Sequence, residues 1–417
     1  MSAAPGEQTR RLTQAEVDAI CVKHDRLFTA RPGGARAVFS WMDLSNLDLS
    51  GRNLSDADFT GAILAGCRMI GARLDNAVLY GADIQNADLS DASLRRTDLR
   101  GACLRGADLS GADLFEADLR EGTIAAADAQ LGLRIIEQSK RASEAHGAIL
   151  IGANLERSKL SGAVAVRADF TDAILKDAKL VRANLKQASM HGANLSGADL
   201  SGADLAGADL RDAVLVGATT QSCSFDGARM DGVLTDAPAG KAGEQPPYAE
   251  MVKAHALWCE TQGAEGEPSK FDEADLRALG SISGYNLAAL SARGAVFYGL
   301  DMEGVQLQGA RLENADLRNC NLKGADLRGA RLNHAKLNGA DLRDAHMGPL
   351  LIGADRLLPC DLSGAMVKKA DLRGADLRRA LLTGANLSRS DFGGAQLREA
   401  DLLGAHLEGV KSLKPLP

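Results

Sequence analysis

A large apolar residue recurs at every fifth position from Leu44 to Ile124, and a small residue stands two positions before most of them. The run begins with Leu44, Leu49, Leu54 and Phe59. A period of five is neither the 3.6-residue period of an α-helix nor the two-residue alternation of a strand. The pattern predicts a stack of coils in which each unit buries its apolar side only against its neighbours.

The same period predicts three arrays separated by two long interruptions. One interruption, 125–147, shifts the period by one residue. In array three, the residues between Met347 and Pro359 depart from the usual repeat pattern. The segment 236–247 is rich in Pro, Ala and Gly, as in a linker. The predicted boundaries are 1–41 for a first helix and lead-in, 42–124 for array one, 125–147 for an insertion, 148–235 for array two, 236–284 for the linker and a second helix, and 285–412 for array three.

Two amphipathic helices are predicted, one before array one and one before array three. Thr13 and Glu16 have the spacing of a capping box at the start of the first helix. His24 lies on its apolar side, and His255 and Trp258 lie on the apolar side of the second helix. No second pair of ligands accompanies either histidine, so we expect two core histidines and no metal site.

The two helices indicate two modules of one design, about 1–236 and 237–417. The last layer of a coil stack exposes apolar residues, so each helix is expected to cap the stack that follows it. Helical spacing also returns inside the first interruption, at Leu131, Ile135 and Ile136. We therefore predict a short helix or loop at 125–147 that packs on the stack.

Units such as Ala107-Asp108-Leu109-Ser110-Gly111 match the signature A(D/N)LxX, and this resembles the pentapeptide repeat family. The resemblance extends over most of the chain. It implies an all-β solenoid, a right-handed quadrilateral parallel β-helix, in which the large residue and the small residue two before it point inward. The expected inward residues include Leu109, Leu114, Leu205 and Leu327, together with Cys67, Cys223, Cys320 and Cys360 at the small position.

Composition and charge exclude several function classes. The net charge is −7 and aromatic residues make up only 4% of the chain. This mild acidity does not indicate direct nucleic-acid binding. No apolar run is long enough to cross a membrane, and the first ten residues lack the apolar core of a secretory signal, so we expect a cytoplasmic protein. No nucleophile elbow, phosphate loop or metal motif is present, so we expect no enzyme activity and no cofactor.

Two functions remain open at this stage. The first is a non-enzymatic scaffold that binds a protein partner of unknown identity through its charged faces and through Arg134, Lys140 and Arg141 of the interruption. The second follows from the resemblance, because some members of the family mimic DNA and act on type II topoisomerases such as DNA gyrase. Array one has the largest acidic excess, and the residues proposed for this role are Asp83, Asp88, Asp98 and Asp108. Self-association through the C-terminal coil is a further possibility.

Overall fold

The computed structural model describes residues 9–128, 132–237, 246–353 and 355–413, with the backbone alone in 123–128 and 132–141. The chain divides into two compact units, Met1–Ala237 and Pro238–Pro417. Unit 1 contains the helix α1 (Gln14–Phe28) and the strands β1 (Gly122–Asp128) and β2 (Gly132–Arg141). Unit 2 contains the helix α2 (Tyr248–Glu260), a 3₁₀ turn (Arg277–Leu279), and the short strands β3 (Leu350–Ile352) and β4 (Arg356–Leu358).

Most of each unit is built from single-residue parallel bridges that join successive coils. Asp43 pairs with Ile63, Ile63 with Asp83, and Asp83 with Cys103, so the chain returns to the same side after twenty residues. Most bridging residues precede a large apolar residue of the repeat. A coil therefore contains four pentapeptides, and its outward bridging residues form four columns along the stack.

The repeat places its large and small apolar residues inside the coils. Leu109, Leu114, Leu205 and Leu327 are all 0% exposed. Of the four cysteines at the small position, Cys67, Cys320 and Cys360 are buried and Cys223 is partly buried. The thiols of Cys67, Cys223 and Cys320 each donate to a backbone carbonyl of the preceding coil. Burial raises the pKa of the Cys67 thiol to about 11, so it is packed as a protonated group.

Helix α1 lies on the first coil of unit 1. Its N-cap is Thr13, whose hydroxyl accepts from the Glu16 N–H while the Glu16 carboxylate accepts from the Thr13 N–H at 2.8 Å. The Gln14 side chain exchanges two hydrogen bonds with the Asp48 backbone, and Asp18 accepts from Arg52 at 2.7 Å. These contacts fix the helix over residues 43–55 of the coil.

The two helices hold their histidines by the same pair of hydrogen bonds. Nδ1 of His24 accepts from the Ala37 N–H at 3.0 Å, and its Nε2 lies 2.9 Å from the Ser55 carbonyl. Nδ1 of His255 accepts from the Ser269 N–H at 3.0 Å, and its Nε2 lies 3.2 Å from a carbonyl of the first coil of unit 2. An accepting Nδ1 requires the neutral ring with its proton on Nε2. Trp258 is partly buried, with its ring centroid 5.8 Å from that of His255.

Unit 2 begins its coils earlier than the sequence predicts. Lys270 already pairs with Ser291, and Asp275 with Val296, so Phe271 and Leu276 belong to the first coil although both fall within the predicted 236–284 segment. These two bridges span 21 residues because the 3₁₀ turn Arg277–Leu279 adds one residue to the coil. Array three was assigned from 285 because this extra residue breaks the period of five.

The interruption at 125–147, predicted to be a short helix or loop, contains a β-hairpin, so the helical alternative is wrong. Strands β1 and β2 form an antiparallel hairpin in which Gly122 pairs with Arg141 and Asp128 with Gly132, with an irregularity between Thr123 and Ala125. Pairing between the two segments overrides the local helical spacing. Ile124, assigned to array one, lies in β1, and array two begins one pentapeptide early, with Glu144 bridging to Val164. Leu131 lies outside the described residues.

The loosened segment of array three is a second hairpin. Leu351 of β3 pairs with Leu357 of β4, and the coils resume where Arg331 bridges to Asp361. A Cβ added at Gly329 would lie 2.7 Å from Leu350 Cβ, so this glycine lets the hairpin lie close to the stack. Ile352 and Leu357, counted as array members from their spacing, belong to this hairpin.

Candidate functional site

The β1–β2 hairpin is inserted into the stack without changing its register. Asp118 bridges to Lys159 and Cys103 bridges to Glu144, each across 41 residues, whereas coils away from the hairpin are joined by bridges that span 20. The extra 21 residues correspond to 122–142. Glu121 and Ser143 therefore stand where consecutive residues of two pentapeptides would stand. The hydroxyl of Ser143 donates to carbonyl oxygens of Leu99 and Arg120 and accepts from the Gly101 N–H, which closes the base of the hairpin.

One column of outward residues runs directly beside the hairpin, and we call this side of unit 1 the hairpin face. Its bridging residues in chain order are Val38, Asp58, Val78, Asp98, Asp118, Lys159, Lys179, Asp199 and Thr219. The coil that ends at Glu121 precedes the hairpin, and the coil that starts at Ser143 follows it. The sign of the charge on this face changes at that point, from Asp98 and Asp118 to Lys159 and Lys179.

A groove of about 510 Å³ lies on the hairpin face beside the point where the hairpin leaves the stack. Its lining residues are Arg96, Thr97, Asp98, Arg100, Glu116, Asp118, Arg157 and Lys159. All but Thr97, which is buried, are charged, and they come from three successive coils. The groove is therefore a polar surface feature and resembles an interaction surface more than an apolar ligand pocket.

Three charged residues line one corner of the groove, and they form a continuous ion-pair ladder. Glu116 accepts from Arg96 Nε at 3.0 Å, and Arg157 of the next coil approaches its other carboxylate oxygen at 2.9 Å. All three have left-handed backbones, with φ of 55°, 58° and 58° for Arg96, Glu116 and Arg157. Glycine adopts this conformation without a steric cost, whereas in arginine and glutamate the Cβ atom crowds the backbone. The hydrogen bond from Arg96 holds the pKa of Glu116 below its ordinary value.

The opposite corner of the groove carries two bidentate arginine–aspartate pairs. Arg100 pairs with Asp98 at 2.6 Å, and Arg120 pairs with Asp118 at 2.7 Å, each within one pentapeptide. The guanidinium of Arg100 also lies 5.2 Å from the centroid of the Tyr80 ring. Burial raises the pKa of Asp118, but the hydrogen bonds from Arg120 outweigh burial, and its pKa stays below the ordinary value. Asp118 therefore remains a carboxylate at neutral pH.

Phe115, which directly precedes the groove residue Glu116, lies between two guanidinium groups. Arg95 lies 4.6 Å and Arg157 5.6 Å from the centroid of its ring. Arg95 also pairs with Asp113 at 2.7 Å. Arginines held over an aromatic ring combine a fixed charge with apolar contact area. This combination is typical of the residues that contribute most to protein–protein binding.

The structure places the four aspartates proposed for DNA mimicry on three different sides of unit 1. Asp83 bridges to Cys103, Asp88 bridges to Asp108, and Asp98 bridges to Asp118. Only Asp88 and Asp108 are consecutive in one column, and Arg68 precedes them there. Each of the four carboxylates accepts from the backbone N–H two residues ahead, so each has a structural role within its own pentapeptide.

The three cations proposed in the interruption all lie on β2. Arg134 pairs with Ala126, Lys140 with Thr123, and Arg141 with Gly122. Arg141 and Lys140 are therefore at the base of the hairpin, next to the stack, and Arg134 is nearer the turn. Of the groove residues beside them, only Asp98 was a candidate from the sequence.

In the part of the chain that the structure describes, no group of three His, Cys, Asp or Glu residues is arranged to hold a metal ion. No helix within the same ranges has both the length and the apolar character to cross a membrane.

The profile of pentapeptide repeats matches this sequence in eight copies, over residues 53–91, 92–124, 148–187, 188–232, 310–347 and 375–411. These ranges make up more than half of the chain. The chain belongs to the pentapeptide repeat family. Pentapeptide repeat proteins adopt a right-handed quadrilateral β-helix, and coils of four pentapeptides agree with that fold.

Solved structures of other pentapeptide repeat proteins are similar to this one. HetL, which is involved in heterocyst differentiation regulation in the cyanobacterium Nostoc, is 25% identical over 91% of this chain and 93% of its own, with a TM-score of 0.19. Rfr23 from the cyanobacterium Cyanothece is 28% identical over 31% of this chain and 91% of its own, with a TM-score of 0.24. QnrB1, a plasmid-mediated fluoroquinolone resistance protein, is 20% identical over 48% of this chain and 91% of its own, with a TM-score of 0.22.

A comparison with curated proteins finds no match. The TM-scores of the solved structures are low, so none of these proteins assigns a function to this pentapeptide repeat protein.

Proposed function

We propose that this pentapeptide repeat protein is a non-enzymatic scaffold that binds a protein partner through the hairpin face of unit 1 and the 122–141 hairpin. The observation that carries the proposal is the unbroken register around the insertion, in which Asp118 still bridges to Lys159. The stack therefore keeps its register across the insertion. The hairpin is an added element beside a charged groove, which is the arrangement of binding loops on a rigid framework.

The rigidity of the framework follows from the proposed architecture. We take each unit to be a quadrilateral β-helix with its preceding helix as a cap. The contacts of α1 with residues 43–55 support this for unit 1, and the matching hydrogen bonds of His24 and His255 support it for unit 2. A capped stack holds its outward side chains at fixed spacing, so a partner meets a preformed surface.

The alternative of a DNA-mimicking modulator of gyrase needs a continuous acidic stripe. Asp83, Asp88, Asp98 and Asp108 do not form one, because they lie on three sides of unit 1 and only Asp88 and Asp108 are consecutive in one column. The proposal therefore predicts no effect in a gyrase supercoiling assay. Inhibition or protection at micromolar protein, lost when these four aspartates are changed to asparagine, would favour the alternative.

Self-association at the C-terminal coil is a second proposed contact. Interior residues are buried up to Phe392, whereas Leu397, Ala400, Leu402 and Ala405 of the last coil are partly exposed. A second copy of the chain that stacks its own last coil on this surface would bury the apolar residues of both coils. We expect a concentration-dependent dimer in light scattering and a monomer for Leu402→Glu; a monomer at every concentration for the unmodified chain would remove this contact.

We place the protein in the cytoplasm. All seven cysteines are unpaired, and three of those at the repeat's small position are buried. Unpaired cysteines are usual for a reducing compartment, which supports the assignment.

The proposal is tested by affinity capture from a native lysate with two versions of the full chain. One is unmodified, and the other lacks residues 122–142, a deletion that restores the spacing of 20 between bridging residues. We expect a protein that the first version retains and the second does not. Capture of no protein above background, or equal capture by both versions, would contradict the proposal.

A further inference from the structure

The two coils that follow the hairpin carry a group of exposed cations on the hairpin face. Lys159 and Lys179 are consecutive bridging residues of the face, and Arg157, Lys176 and Arg182 occupy the corners on either side. All five are exposed. We call these five residues the basic ridge.

The cations in the coils before the hairpin and those in the coils after it differ in how they pair with carboxylates. Arg95, Arg96, Arg100 and Arg120 each have a carboxylate at 2.6 to 3.0 Å. In the ridge, Arg157 pairs with Glu116, and Lys179 lies 3.7 Å from Asp199.

Among the described residues, no carboxylate oxygen lies within 4 Å of the cationic groups of Lys159, Lys176 or Arg182. Within the described ranges, the ridge therefore presents three charges that no carboxylate contacts directly, although Lys159 still contributes to the lowered pKa of Asp118.

We infer that the basic ridge binds an acidic segment of the partner protein, in which a run of Asp and Glu residues lies over the ridge and uncharged or basic residues continue over the groove. This inference rests on the proposed function and names the chemistry of its partner. The cations are spread over two coils and two corners, so they suit an extended polyanion rather than one small anion. Carboxylates of the segment would accept charge-assisted hydrogen bonds from Lys159, Lys176 and Arg182.

The surroundings favour a peptide over a nucleic acid. The groove next to the ridge already contains Asp98, Glu116 and Asp118, which repel a continuous phosphate backbone. A peptide can place an uncharged or basic residue opposite these carboxylates and an apolar residue against Phe115.

The test is a fluorescence anisotropy titration with a labelled decamer of glutamate, at about 50 mM and about 300 mM salt. The variant carries Lys159→Gln, Lys176→Gln and Arg182→Gln in the full chain. We expect the unmodified chain to bind the decamer at the lower salt, and the variant to bind it about tenfold more weakly or worse. Binding should weaken at the higher salt.

A control variant removes the same charge elsewhere in unit 1, through Lys23→Gln, Arg68→Gln and Arg73→Gln. Circular dichroism and thermal unfolding of both variants show whether each remains folded. Equal losses in the ridge and control variants, or no binding of the decamer by the unmodified chain, would overturn the inference. Single-stranded DNA of equal charge that binds more tightly than the decamer would also overturn it.

The inference and the proposed function fail in distinguishable ways. The scaffold function stands if the unmodified chain retains a partner from the lysate and the chain without residues 122–142 does not. If the ridge variant retains that partner equally well, the inference that an acidic segment binds the ridge is wrong. If no partner is retained at all, the proposed function fails whether or not the decamer binds.

Discussion

At the scale of single residues, the corners of the coils show why glycine recurs so often in this chain. Gly66 has a φ of 67°, and a Cβ added to it would lie 2.5 Å from Oδ1 of Asn46 in the preceding coil. Gly106 stands in the same relation to Asn86. These glycines are required both by the left-handed backbone and by the side chain that leans over them. Asparagine tolerates the same conformation, so it alternates with glycine along a corner.

Replacement of an inward leucine should destabilise unit 1 far more than replacement of an outward serine. Leu114 is 0% exposed, and Leu114→Ala leaves a cavity in a core with no room to rearrange. We expect a loss of about 2–5 kcal/mol in the free energy of unfolding, measured with denaturant. Ser110→Ala is the control, with a change within about 0.5 kcal/mol. Equal effects at the two positions would show that Leu114 is not an inward residue.

Unit 2 should lose stability in mild acid because of His255. Burial lowers the pKa of the His255 imidazole below its ordinary value, against the hydrogen bond to the Ala288 carbonyl, which raises it. Protonation of Nδ1 would also break the hydrogen bond that this atom accepts from the Ser269 N–H.

The sign of the effect follows from the linkage between proton binding and folding. The unfolded ring takes up a proton near pH 6.5, and the folded ring only at lower pH. The contribution of His255 is therefore fully present above about pH 6.5 and is lost as the pH falls below it. Thermal unfolding of the full chain between pH 8 and pH 5 should show this decline, and His255→Gln should flatten it. An unchanged pH dependence in the variant would assign the decline to other groups.

At the scale of elements, what could be predicted from the sequence depends on how local the cause is. The capping box of Thr13 and Glu16 needs only a spacing of three residues, and its hydrogen bonds are present in α1. The hairpin depends on pairing between Gly122 and Arg141, far apart in the chain, so helical spacing at Ile135 and Ile136 gave the wrong element. The early start of array three was hidden by the single extra residue of the 3₁₀ turn.

Gly122 should be needed for entry into the hairpin. A Cβ at this residue would lie 3.0 Å from the carbonyl carbon and oxygen of Arg100, which belong to the backbone and cannot move aside. We expect Gly122→Ala to cost about 1–3 kcal/mol of unfolding free energy. Gly71→Asn is the control, because a Cβ at Gly71 meets nothing within 4 Å and Asn76 adopts the same conformation, with a φ of 57°. A stable Gly122→Ala variant would contradict the close approach.

At the scale of the whole molecule, the groove was missed because its residues are distant in sequence. Asp118 and Lys159 become neighbours only when 21 residues are removed and coils of twenty are aligned. The sequence contained this signal, since the large residues before and after the interruption are out of phase by one. An odd insertion of that length, followed by a return to the repeat, indicates an element looped out of an unbroken stack.

Deletion of residues 122–142 should therefore leave unit 1 folded. The deletion joins Glu121 to Ser143 in the frame of the repeat, so Leu119 and Ala145 stand five residues apart as other inward residues do. We expect the same circular dichroism spectrum and an unfolding midpoint close to that of the full chain. Loss of cooperative unfolding would show that the hairpin is part of the core and not an addition to it.

The most direct test of the central claim is site-specific photo-crosslinking in the native lysate. A photoreactive phenylalanine analogue is placed at Phe115, which directly precedes the groove residue Glu116, or at Ile70, on a different side of unit 1. We expect a crosslinked protein from position 115 that is absent from position 70 and absent when residues 122–142 are deleted. The same crosslinked protein from both positions, or none from position 115, would contradict binding through the hairpin face.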